Sequence, residues 1–176
     1  MKKNWYAVYT KSRCEKRVSA LLTKKKIENF YPMNKVPKLG TYDLRKFDMV
    51  PLFPSFVFVH ATENEMNQIR QISDVVNFVY WLGRPAQIKS VEIDSIRAFV
   101  SEYPNVTVEK TAVNIHDMMR VVSSPGLEQE ENNIVIQHNR VKLILPSLGF
   151  ALVAETEKST VELVKYQLAP VKDKVS

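Results

Sequence analysis

The segment Pro51-Leu52-Phe53-Pro54-Ser55-Phe56-Val57-Phe58-Val59 constrains this chain most. Its end reads as a strand, and in a strand successive side chains point to opposite faces. Phe56 and Phe58 therefore share one face, and Val57 and Val59 share the other. The segment Trp5-Tyr6-Ala7-Val8-Tyr9 repeats the pattern, with Trp5, Ala7 and Tyr9 opposed to Tyr6 and Val8. One face has to pack on helices. The other is either a second core or an exposed apolar groove of the kind that binds protein; strand phase alone leaves both open.

Between these runs lies a basic helix. Cys14, Val18, Leu21 and Leu22 recur at helical spacing, while Arg13, Arg17 and Lys24 fall within about 40° of one another at roughly 100° per residue. Ser12 is placed to cap this helix. Further along, Thr62 with Glu65 makes a capping box for a second helix with Met66, Ile69 and Ile72 inside. A strand is expected over Val75–Trp81 and a turn at Gly83-Arg84-Pro85. A third helix follows Ser90, with Ile93, Ile96, Val100 and Tyr103 as its core face, and Pro104 ends it. Strands and helices in this mixed order predict an α+β sandwich.

Residues 105–114 show no helical period and read as a linker. Residues 115–165 hold five short apolar runs, at Met119–Val122, Ile134–Ile136, Val141–Leu145, Ala151–Ala154 and Val161–Val164, with turn signals at Pro125-Gly126, His138-Asn139 and Ser147–Gly149. That spacing predicts a small, independently folded β-barrel, flexibly joined. Its core is Val121, Ile134, Ile136, Leu143, Leu145 and Val153. Residues 166–176 read as a tail. The domain plan is thus 1–104, 105–114, 115–165 and 166–176.

Charge follows the same division. Residues 1–104 carry 17 Lys/Arg against 10 Asp/Glu, and residues 105–176 carry 8 against 9. The positive field belongs to the first domain and suits proximity to nucleic acid. The candidate set is Lys11, Arg13, Arg17 and Lys24, extended by Lys16, Lys25 and Lys26; a solvated helix face is the plain alternative. Catalytic chemistry is not legible. His60, His116 and His138 are scattered, four glycines form no phosphate loop, and no nucleophile elbow is present. Neither enzyme activity nor a metal or cofactor is expected. Cys14 shares the helical phase of Val18 and reads as a small core residue. No apolar run reaches the roughly 18 residues of a membrane span, and the start lacks a signal-peptide core, so a cytoplasmic protein is expected.

Trp5-Tyr6-x-x-Tyr9, the basic helix, Phe30-Tyr31-Pro32, Pro51–Val59, Val76-Asn77-Phe78-Val79 and Gly83-Arg84-Pro85-Ala86 occur in an order that resembles the N-terminal domain of the NusG family of transcription elongation factors. The details look more like the specialised antiterminator branch, RfaH and the capsule-operon (UpxY-like) paralogues. The resemblance implies a ferredoxin-like fold with an inserted hairpin, followed by a KOW-like barrel. It implies contact between the clamp helices of RNA polymerase and Tyr9, Phe56 and Phe58. It also places the basic helix near upstream DNA and the non-template strand. In the barrel, Leu127 stands nearest to the residue that meets a ribosomal protein or Rho, although Ser124–Gln129 departs from the family's loop. After His60 the chain lacks the His-Thr-Thr-Thr-like run of RfaH. A monomeric antitermination factor that suppresses pausing or termination is the leading reading. An RNA-binding or ribosome-associated module is the alternative.

Overall fold

The structure is a computed structural model, and it describes residues 2–38, 46–111, 134–137 and 140–155. Strand β1 (Asn4–Thr10) lies at the centre of a five-stranded sheet. On one side it pairs antiparallel with β5 (Phe56–Ala61), and β2 (Glu28–Phe30) continues beyond β5. On the other side, β6 (Val75–Phe78) takes the C-terminal half of β1 and β9 (Gln87–Ile88) takes the N-terminal half.

The register explains the two apolar faces. Tyr6 lies opposite Val59, and Val8 lies between Val57 and Phe78. Together with helices α1 (Glu15–Lys24) and α2 (Glu63–Arg70) these side chains form one core, filled by Val18, Leu22, Met66 and Ile69. The reverse face carries Trp5, Ala7, Phe58 and Ile88. It forms a second core with Ile93, Ile96, Phe99 and Tyr103 of α3 (Ser90–Glu102).

That second core has a further wall. A four-stranded antiparallel sheet, ordered β10-β13-β12-β11, contributes Val141, Leu143, Leu145, Leu152 and Ala154. Its strands are β10 (Thr107–Lys110), β11 (Ile134–Gln137), β12 (Arg140–Leu145) and β13 (Phe150–Glu155). Phe150 meets Phe53 with ring centroids 6.1 Å apart. The sequence reading has a flexible linker at 105–114 and an independently folded barrel. The structure instead makes Thr107–Lys110 a strand paired with β13, and it puts the sheet in a shared core with the first domain. Linker-like composition concealed an edge strand because, among the described residues 105–111, only Val106 and Val108 join the apolar core. Of the five expected runs, those at 134–136, 141–145 and 151–154 are strands; those at 119–122 and 161–164, with Val121 and Leu127, lie outside the described residues.

Two antiparallel ribbons project from this body: β3 (Met33–Pro37) with β4 (Phe47–Pro51), and β7 (Tyr80–Trp81) with β8 (Arg84–Pro85). The first stands where the resemblance implies an inserted hairpin, and its tip, residues 39–45, lies outside the described residues. Its base is fixed by the buried side chain of Asn34, which accepts from the Val106 N–H at 3.0 Å and donates to the Val106 carbonyl at 2.7 Å. The second arises because the strand expected over Val75–Trp81 breaks at Val79, whose N–H donates to the Ala7 carbonyl.

Candidate functional site

Tyr9 ends the aromatic run of β1, and Phe56 begins β5 directly opposite. Directly opposed residues project to the same face. Their rings stand 4.5 Å apart at an interplanar angle of 48°. Tyr9 is 42% exposed and Phe56 is half-buried, so this pair forms an open end to an otherwise covered face. Phe58, the third residue expected to contact polymerase, is only 1% exposed. It lies in the core beside Phe53 (5.7 Å, edge-on) and Phe30 (6.2 Å, stacked). Strand phase put Phe56 and Phe58 on one face correctly. It had no means of showing that α3 and the second sheet close that face from Phe58 onward.

The cations begin one residue beyond Thr10. The Lys11 N–H donates to the Asp74 carbonyl at 2.9 Å, and Thr10 N–H to the Ser55 carbonyl at 2.8 Å. These bonds tie the β1–α1 turn to the ends of β5 and β6. Asp74 is buried, yet its carboxylate reaches Arg17 at 2.5 Å and Lys11 at 4.0 Å. Both cationic side chains stay mostly exposed, so Asp74 positions them from below while their outer surfaces face solvent. Hydrogen bonding and charge from Asp74 push the Arg17 pKa further up, and Arg17 stays protonated throughout the working range. One carboxylate serves two cations, which leaves the turn net positive.

Arg13 does not lie on the helix. It takes a left-handed φ of 59° in the turn, and α1 starts at Glu15 with Cys14 in the capping position and no side-chain cap. The expected Ser12 cap is therefore absent, and the helical phase argument holds for Arg17 and Lys24 but not for Arg13. Glu15, at the start of α1, is buried and accepts from the Ser55 N–H at 2.6 Å. Ser55 also has a left-handed φ, of 64°. This bond fixes the turn that delivers Phe56. Lys24 is exposed at the other end of α1, about 10 Å along the axis from Arg17 at 1.5 Å per residue. Tyr9, Phe56, Lys11, Arg13 and Arg17 thus come together at one end of the sheet, and Lys24 stands apart.

The thiol of Cys14 is half-buried with the Arg17 guanidinium at 3.7 Å, which agrees with a packing role. No cluster of metal-ligating side chains exists among the described residues. No helix among them is long and apolar enough to cross a membrane.

Comparison with known proteins defines the class. The family model described as transcription termination factor nusG matches residues 3–97, more than half of the chain. This chain belongs to the NusG family, a family of transcription factors. Among solved structures it is similar to NusG of Thermotoga maritima, reported in a study of its domain interaction. That match has 20% identity and a TM-score of 0.44, and covers 90% of this chain and 96% of that one. It is also similar to a chain of the MjSpt4:Spt5 complex, at 13% identity and a TM-score of 0.27, covering 86% of this chain and 99% of that one. No curated protein matches it in sequence.

Proposed function

We propose that this protein is a transcription elongation and antitermination factor of the specialised branch. It would bind the clamp helices of RNA polymerase and suppress pausing or termination at particular operons. The observation that supports this reading best is the adjoining of an exposed aromatic pair, Tyr9 and Phe56, to the cations Lys11, Arg13 and Arg17 at one end of the sheet. An apolar notch takes a helix of the polymerase by its hydrophobic anchors. The adjacent cations then lie toward the nucleic acid held by that polymerase, with the non-template strand as the candidate ligand and Lys24 as an outlying contact. Phe58 supports Phe56 from the core and does not itself touch the partner.

Such a factor acts by population shift: it favours the processive enzyme only as far as it binds that state better than the paused one. No group on the protein has to do bond chemistry. The second domain would recruit a further partner, a ribosomal protein or Rho, through the segment around Leu127, and thereby raise its local concentration at the polymerase. A monomer in the cytoplasm suits this role. Charge reversal tests the division of labour. Lys11→Glu, Arg13→Glu and Arg17→Glu together should reduce antitermination on a transcribed template more than they reduce binding to polymerase without DNA. Equal loss in both would assign the cations to a protein contact.

A further inference from the structure

We infer that the β7–β8 hairpin is a stacking site for one or two nucleotides of single-stranded nucleic acid, separate from the Tyr9–Phe56 notch and the Asp74 cations. The hairpin holds apolar side chains out in solvent. Tyr80 is 44% exposed, Trp81 70% and Leu82 87%, and Val76 on the neighbouring strand is 64% exposed. Leu82 and Gly83 both have positive φ, 49° and 76°, the pairing that suits a two-residue hairpin loop. A large side chain such as leucine rarely takes that conformation. The tip therefore keeps Leu82 exposed in a strained position, a combination that folding alone does not favour.

The charge around the tip selects an anion. Val75 through Val91 contain no Asp or Glu at all, but include Arg84 and Lys89. Arg84 is the cross-strand partner of Trp81, so ring and guanidinium project from the same face of the ribbon. Arg70 adds a second cation: it donates to the Tyr80 hydroxyl at 3.3 Å and lies 5.1 Å over the Phe78 ring. Neither arginine has a carboxylate within ion-pair distance among the described residues. Exposed aromatic faces beside unneutralised cations are the composition by which proteins hold single strands, the rings for bases and the cations for phosphates. A protein partner fits less well. A stable protein contact needs about 800 Å² on each side, more than a protruding tip of a few residues supplies.

Tryptophan fluorescence gives a direct test, because the other tryptophan, Trp5, is 5% exposed. The intact chain is titrated at low salt with an oligothymidylate of roughly 12 nucleotides, within the usual span of single-strand sites, and with a duplex of the same length. The single strand should quench the emission saturably and the duplex should not. Trp81→Ala should abolish the quench and weaken single-strand binding by at least about 5-fold, the lower range for loss of one stacked base. Arg84→Gln should weaken binding while leaving the quench at saturation. Both variants should melt like the parent, since both side chains are exposed. The inference is overturned by absence of binding, by an equal quench with duplex, or by unchanged affinity of Trp81→Ala. In a separate measurement, it is also overturned if Trp81→Ala weakens binding to polymerase while single-strand affinity is unchanged, which would make the hairpin a protein contact. Polymerase is absent from the titration itself, so its outcome is independent of the proposed elongation role.

Discussion

Phe56 and Phe58 differ in sequence position by two and in consequence by much more. Both sit on the face that carries Trp5 and Ala7, but only Phe58 is closed in by Phe30, Phe53 and α3. Phe58→Ala should destabilise the fold by about 3–5 kcal/mol, the usual cost of emptying a buried aromatic site. Tyr9→Ala should cost less than about 1 kcal/mol, as exposed substitutions generally do. Urea denaturation of both variants measures the contrast, and similar losses would mean that Tyr9 belongs to the core as well. The shared face was legible from the period of two, because that period is local. It did not separate core from notch, because the separating groups, α3 and Phe150, come from distant parts of the chain. The roles of Asp74, Glu15 and Asn34 were hidden for the same reason: each is a polar residue buried by partners tens of residues away.

At the scale of elements, the contact between α3 and the turn after β12 is the least expected part of the fold. Glu92 points from the first turn of α3 into the junction and is 3% exposed. One carboxylate oxygen accepts from the Ser147 N–H at 3.2 Å and from its hydroxyl at 2.9 Å, while the other is buried with no hydrogen-bond partner among the described residues. Burial pushes the Glu92 pKa up, against the opposing pull of the Ser147 bonds and the charge of Lys89. A raised folded pKa means that the docked form holds a proton which the unfolded chain releases. The stability linked to Glu92 is therefore complete below the unfolded carboxyl pKa, about 4.3, and declines as pH rises through the folded value. Glu65 has the opposite sign. The Thr62 N–H of the capping box lowers its pKa, so its contribution is present above the unfolded value and is lost as pH falls. Glu92→Gln should flatten the decline on the rising side, measured as melting temperature from pH 4.5 to pH 7, and leave the acid limb from Glu65 in place. An unchanged slope would show that Glu92 is hydrated in solution. The capping box itself was plain from Thr62-x-x-Glu65, since capping is a rule about neighbours. The α1 start was misread because a left-handed Arg13 and a buried Glu15 displaced Ser12 from the cap.

At the scale of the whole molecule, two sheets and one helix share a core that the charge division at residue 105 and the change to all-β patterning do not reveal. Those signals mark a boundary in composition, and burial crosses it through Leu52, Phe53, Val141, Leu145 and Leu152. The intact chain should unfold in one transition, with tryptophan fluorescence and far-ultraviolet circular dichroism coincident; two separated transitions would mean that the second sheet is only loosely attached. The shared core also leaves the Tyr9–Phe56 end as the open part of the aromatic face, the part proposed to meet polymerase. The most direct test places a photocrosslinking residue at Tyr9 in the full chain and maps its adduct on transcribing RNA polymerase. The adduct should fall on the clamp helices of the largest catalytic subunit, and Phe56→Ala should lower its yield by about 5-fold or more, as for a residue contributing at least 1 kcal/mol at an interface. An adduct elsewhere on the polymerase, or a yield indifferent to Phe56, would contradict it.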